Sequence, residues 1–198
     1  MQSGTDPRAW WTALETQWQR VFRETYLNLP PGDGTPTDAE LESLLSAQVL
    51  RCAGPTAPYP NTSVVLTNLS GLAELQELTF VSVTDSHIRD LAELARHRNL
   101  RSLFVQDNQL TSLSGIEALT ELESLYAQNN QLSSLEPIRA LTKLHTLYVS
   151  GNQLTSISGL TPDHGDTLRN CYILPNEHLP NREIIKLQQK VGLLPKRG

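Results

Sequence analysis

Apolar residues recur along residues 66–176 on a 22-residue period, a longer repeat than the 3.6 of a helix or the 2 of a strand. With Leu100 as position 1, one turn reads Leu100, Leu103, Val105, Leu110, Leu113, Ile116 and Leu119, and the next reads Leu122, Leu125, Ala127, Leu132, Leu135, Ile138 and Leu141. Polar residues repeat with them: asparagine holds position 9 at Asn108, Asn130 and Asn152. The phrases SLFVQDNQLTSL, SLYAQNNQLSSL and TLYVSGNQLTSI are three successive copies. Upstream the pattern weakens to Leu78, Val81, Val83, Ile88, Leu91 and Leu94 with Ser86 in the asparagine place, then to Leu66, Leu69, Leu72 and Leu75. Downstream the register breaks at TPDHGDTLRN, and two extra residues restore it with Leu168, Cys171, Ile173 and Asn176 at positions 1, 4, 6 and 9.

Each position has a physical reading. Alternation in a short strand sends positions 4 and 6 inward and positions 3, 5 and 7 outward. An inward asparagine at position 9 pairs with backbone groups left unsatisfied where the chain bends, and stacked turns make these asparagines a ladder. The return stretch has apolar residues at every third position, which suits a 3₁₀ turn or an extended segment and accommodates Pro137. About five turns are recognisable, enough to bury a continuous core by stacking.

The form LxxLxVxxNxLxxLxxIxxLxx over residues 78–176 resembles the leucine-rich repeat proteins, in the 22-residue class of internalins and SDS22-like proteins. The resemblance implies an α/β right-handed solenoid with a concave parallel sheet, and recognition of a partner, most often a protein, across that sheet. The fold alone does not identify the partner.

Both ends read as caps. Residues 7–27 place Trp10, Leu14, Trp18 and Phe22 at helical spacing, and all three tryptophans of the chain lie there. Thr37 with Glu40 forms a capping box ahead of Leu41, Leu44 and Leu45, so a second helix follows. Val49 to Cys52 suits a cap strand before the loop GPTAPYP. At the other end Ile184, Ile185, Leu187 and Val191 fall on one side of a short helix, whose other face and tail carry Arg182, Lys186, Lys190, Lys196 and Arg197. The expected organisation is one continuous body: a helical cap and loop over 1–65, repeats over 66–180, and a capping helix with tail over 181–198.

Composition narrows the function. The chain has 34 leucines but three phenylalanines, and its formal net charge of -5 provides no electrostatic footprint for nucleic acid or an anionic membrane. No basic-then-apolar leader opens the sequence and no apolar run is long enough to span a bilayer, so a cytoplasmic chain is expected. Cys52 and Cys171 stand 119 residues apart in apolar settings and read as buried free thiols.

The outward strand positions carry the candidate chemistry. Position 5 reads Ser82, Phe104, Tyr126, Tyr148 and Tyr172, a column of four aromatics. Beside it stand Gln106 and Gln128 at position 7 and Asp107 and Asn129 at position 8, with His87 at position 10 assigned to the same concave side. Tyrosines in such a stripe supply large, rigid contact area with a polar tip. These nine residues, from Phe104 to His87, are the expected partner-binding set. Cross-strand stacking that merely stabilises the sheet accounts for the same column, and the two roles are compatible.

No phosphate loop, nucleophile elbow or metal motif occurs, so no catalytic residue, metal or cofactor is assigned. The leading expectation is a non-enzymatic protein-binding module, acting alone or as the targeting part of an effector or regulatory protein. Glycan or small-ligand binding on the same face is the alternative. An enzyme working through Asp163, His164 and Asp166 of the 162–166 loop ranks lower, and self-association through the concave face stays open.

Overall fold

A computed structural model describes residues 5–30, 32, 34–58 and 61–198; parts of the loops NLPPGDGTP and GPTAPYP therefore lie outside the described residues. Among the described residues, seven parallel strands form a single sheet in chain order. They are β1 (Val49–Ala53), β2 (Phe80–Thr84), β3 (Ser102–Phe104), β4 (Ser124–Tyr126), β5 (Thr146–Tyr148), β6 (Asn170–Leu174) and β7 (Lys196–Arg197). Leu103, Leu125, Leu147 and Cys171 are paired across neighbouring strands, so the 22-residue period becomes the register of the sheet. Return segments contain 3₁₀ turns at Ser70–Leu72, Ala92–Arg96 and Glu136–Ile138, as every-third-residue spacing requires. Stacking leaves the repeat leucines buried in one cluster that runs from Trp10 to Val191.

The asparagine ladder secures the turns after the strands. Asn130 Oδ1 accepts from the Leu110 amide at 2.9 Å, and its Nδ2 donates to Val105 O at 2.9 Å. Asn108, Asn152 and Asn176 repeat both bonds. Each side chain thus satisfies backbone groups of the preceding turn, which burial would otherwise leave unpaired at a cost of about 1–3 kcal/mol per group.

The N-terminal stripe forms two helices where its spacing predicts one. Helix α1 (Pro7–Ala13) ends before the extended Leu14 and Glu15, and α2 (Thr16–Val21) continues as a wider turn over Phe22–Tyr26. The break frees the Glu15 carboxylate to accept from Asn68 Nδ2 at 3.0 Å and Ser70 Oγ at 2.8 Å on the first turn of the solenoid. All three tryptophans are buried, and Trp18 Nε1 donates to Asn68 Oδ1 at 3.2 Å. Helix α3 (Asp38–Leu45) carries the capping box, with the Thr37 amide donating to Glu40 Oε2 at 2.7 Å.

Residues 162–167, within the register break, fold as a short helix, α4 (Pro162–Thr167). The C-terminal helix α5 (Asn181–Lys186), extended by a wider turn over Leu187–Val191, buries Glu183, Leu187 and Val191. Ile185 stays 50% exposed, contrary to its placement on the buried side. Glu183 takes the inward place because its carboxylate accepts from the Ile157 amide at 3.1 Å and from Lys186 Nζ. The tail then turns back and pairs with β6 as strand β7. Among the described residues, no helix is long and apolar enough to cross a membrane.

Candidate functional site

Position 5 forms a row across the sheet. Arg51 pairs with Ser82, Ser82 with Phe104, Phe104 with Tyr126, Tyr126 with Tyr148, Tyr148 with Tyr172, and Tyr172 with Lys196. The rings stack nearly face to face: Phe104 to Tyr126 at 4.3 Å and 10°, Tyr126 to Tyr148 at 4.7 Å and 12°, Tyr148 to Tyr172 at 3.8 Å and 17°. These separations follow the strand spacing of about 4.8 Å. Where Ser82 interrupts the row, Phe80 from position 3 of the same strand extends the stack, 5.1 Å from Phe104. Phe80 was legible as the one aromatic at position 3 among these strands, but its side chain must lean across the row to join it.

Cations close both ends. The Arg51 guanidinium lies 4.8 Å from the Phe80 centroid, and Lys196 Nζ lies 5.4 Å from that of Tyr172 while donating to Asn170 Oδ1 at 2.8 Å. Ring faces are therefore occupied by neighbouring rings or by a cation. What the column offers outward is its ring edges, which carry the positive side of the aromatic quadrupole, and the tyrosine hydroxyls. The adjacent Tyr172 hydroxyl, aided by partial desolvation, pushes the Tyr148 phenol up to about 12.

All five rings are half-buried. Gln106 and Gln128, also half-buried, flank the column, and the Oε1 atom of each is buried without a partner. Asp107 and Asn129 are exposed and adopt left-handed backbone at φ 57 and 56, with Asn129 Nδ2 donating to Asp107 Oδ1 at 2.8 Å. That turn conformation explains why position 8 carries Asp or Asn, and Gly151 at φ 65 continues the series. His87 is exposed beyond the end of β2, on the rim rather than among the strand residues. The structure thus gathers Phe104, Tyr126, Tyr148, Tyr172, Gln106 and Gln128 on the strand face and leaves Asp107, Asn129 and His87 at its border.

The sheet carries charge of one sign. Strands β1 to β7 contain Arg51, Lys196 and Arg197 and no aspartate or glutamate, although the whole chain has 21 acidic and 16 basic residues. Beside Arg51 opens a recess of about 420 Å³ whose lining includes Glu24, Thr25, Asn28, Asn61 and Ser82. Glu24 is already engaged there, its carboxylate accepting from the Ser63 amide at 2.9 Å and hydroxyl at 2.6 Å.

The 162–166 segment brings no acid-base pair together. His164 is fully buried: Nδ1 accepts from the Thr161 amide at 3.1 Å, which leaves Nε2–H to donate to Ile138 O at 3.2 Å. Burial holds its pKa below the usual range, so the neutral ring acts as the cap of α4. Asp163 and Asp166 point away to solvent. Among the described residues, no group of three or more His, Cys, Asp or Glu side chains is placed to hold a metal ion. Cys52 and Cys171 are free and buried, and burial pushes both thiols up to about 12.

Fold and sequence agree on the class: the chain folds as a leucine-rich-repeat solenoid. Residues 120–162 match the family model for leucine-rich repeats, two copies. The solenoid is similar to the crystal structure of an internalin (inlF) from Listeria monocytogenes, with a TM-score of 0.51 and 30% identity, over 59% of this chain and 33% of that one. The leucine-rich-repeat ectodomain of the Arabidopsis thaliana membrane receptor kinase GASSHO1/SCHENGEN3, in complex with CASPARIAN STRIP INTEGRITY FACTOR 2, aligns at TM-score 0.46 and 26% identity, over 56% of this chain and 14% of that one. The chain thus spans about a third of the internalin's length. No curated protein matches it.

Proposed function

We propose that this protein is a non-enzymatic protein-recognition module that binds its partner across the concave strand face, acting alone or as the targeting part of an effector or regulatory protein. The observation that carries this reading is the half-exposed stack from Phe80 to Tyr172, a continuous aromatic surface on an otherwise uncharged middle of the sheet. Large rigid aromatics concentrated at the centre of a surface are what interface hot spots are made of. The strand face is small, so a contact confined to it falls near the low end of specific interfaces, about 1,200 Å² in total. A glycan reading has less support, since sugars stack on ring faces and the faces here are taken by neighbouring rings, Arg51 and Lys196.

Capture of partners from a native lysate by the wild-type chain and by a Phe104→Ala/Tyr126→Ala/Tyr148→Ala variant tests this. Both proteins are first matched for fold and oligomeric state. Specific loss of one protein from the variant supports the strand face as the binding surface. Equal capture by both sinks it and redirects the search to the cap and the C-terminal helix.

A further inference from the structure

We infer that the strand face takes an extended segment of a partner protein carrying an acidic residue near each end, read by Arg51 and Lys196. The inference rests on the recognition reading above and goes beyond it by naming the partner's chemistry. Three observations converge. First, the charge of the strands is wholly positive within an acidic chain, and the two cations registered in the position-5 row stand at its opposite ends. Second, stacking turns the ring edges and hydroxyls outward, so the neutral middle favours hydrogen-bond acceptors such as carbonyl and carboxylate oxygens. Third, the recess beside Arg51 is lined by Thr25, Asn28 and Ser82, small polar side chains suited to a carboxylate paired with the guanidinium, while the one acidic residue of its lining, Glu24, has its carboxylate engaged by the Ser63 amide and hydroxyl.

The dimensions set the occupant. From β1 to β7 there are six strand spacings, about 29 Å at about 4.8 Å each, which an extended chain covers in roughly nine residues. The column is one ring wide and bordered by Ser102, Ser124 and Thr146 on one side and Gln106 and Gln128 on the other. That width suits an extended backbone laid along the rings. The tail strand β7 is then part of the site, since it delivers Lys196 to the Tyr172 end and is held there by the Gly198 amide donating to Leu174 O at 2.9 Å.

The test uses fluorescein-labelled nonapeptides of alternating Ser and Val with Asp, Asn or Lys at both ends, measured by fluorescence anisotropy against the full chain. The Asp-ended peptide is expected to bind about tenfold more tightly than the Asn-ended one, with the advantage shrinking at high salt. Arg51→Ser and Lys196→Ser each reduce that advantage about threefold, and the double variant abolishes it while thermal unfolding stays unchanged. Equal affinity for Asp and Asn ends, or no binding by any peptide, overturns the inference. So does a short oligonucleotide that competes through the same two cations as well as the Asp-ended peptide does, because it would make the surface a general anion site. If peptides bind without regard to end charge and Tyr126→Ala/Tyr148→Ala abolishes that binding, the recognition reading stands and only the charge reading falls.

Discussion

A methyl group placed on Gly71 would lie 2.2 Å from Cδ2 of Trp18, so the N-terminal cap and the first turn of the solenoid meet where one residue has no side chain. Trp18 is fully buried at that contact and bonded to Asn68, which fixes the angle of α2 against the repeats. Gly71→Ala forces the indole or the backbone to move. The expected loss is about 2–3 kcal/mol, in the range of core overpacking, read as a lower urea midpoint with unchanged slope. A midpoint within error of wild type means that the cap does not pack as described.

Asn130→Ala removes hydrogen bonds to Leu110 N and Val105 O from a side chain that is 7% exposed. Both backbone groups then stay buried without that partner. The expected cost is about 3 kcal/mol, larger than that of replacing a surface polar residue such as Gln131, which should fall within about 0.5 kcal/mol. Chemical denaturation of the two variants side by side makes the comparison.

Acid should loosen the C-terminal cap through Glu183. Its hydrogen bond from Lys186, then that from the Ile157 amide, lowers its pKa in the folded chain. A carboxylate depressed by folding contributes stability above its unfolded pKa, near 4.3, and loses it as pH falls through the folded value. Glu183→Gln is therefore expected to be about 1 kcal/mol less stable at pH 7, with the difference closing below about pH 4. Thermal unfolding across that range checks it.

Alkali acts on the aromatic column in the opposite sense. Tyr148 is raised to about 12 by the adjacent Tyr172 hydroxyl, so the stability linked to its proton is present below the unfolded value near 10 and is lost as pH approaches 12. Phenolate absorbance of the native chain should show a late-titrating component that is absent in Tyr148→Phe. At pH 7 that variant keeps the stack and should unfold within about 0.5 kcal/mol of wild type.

Neither thiol should react in the folded state. Cys52 and Cys171 are buried with thiols near 12, so a thiol-specific reagent is expected to modify both only after unfolding. Fast labelling of either in native buffer would contradict the packing described.

How much of this was legible without coordinates follows from how far each signal reaches along the chain. The solenoid was, because every turn writes the same leucines and asparagine 22 residues apart and each turn contacts chiefly its neighbours. The tyrosine row was legible for the same reason. Local competition was not: Glu15 breaks the tryptophan helix for partners 53 and 55 residues away, Glu183 displaces Ile185 from the buried side, and His164 folds inward as a cap. None of these leaves a periodic trace.

By itself, then, the sequence determined which residues are buried in the repeats and which stand outward on the strands, since periodicity is a property of neighbouring turns. Only the tertiary structure decided that Phe80 leans into the column, that Arg51 and Lys196 close its ends, and that the tail returns as β7. Those contacts join residues that no repeat relates, and their geometry exists only once the two caps have been packed onto the ends of the same sheet.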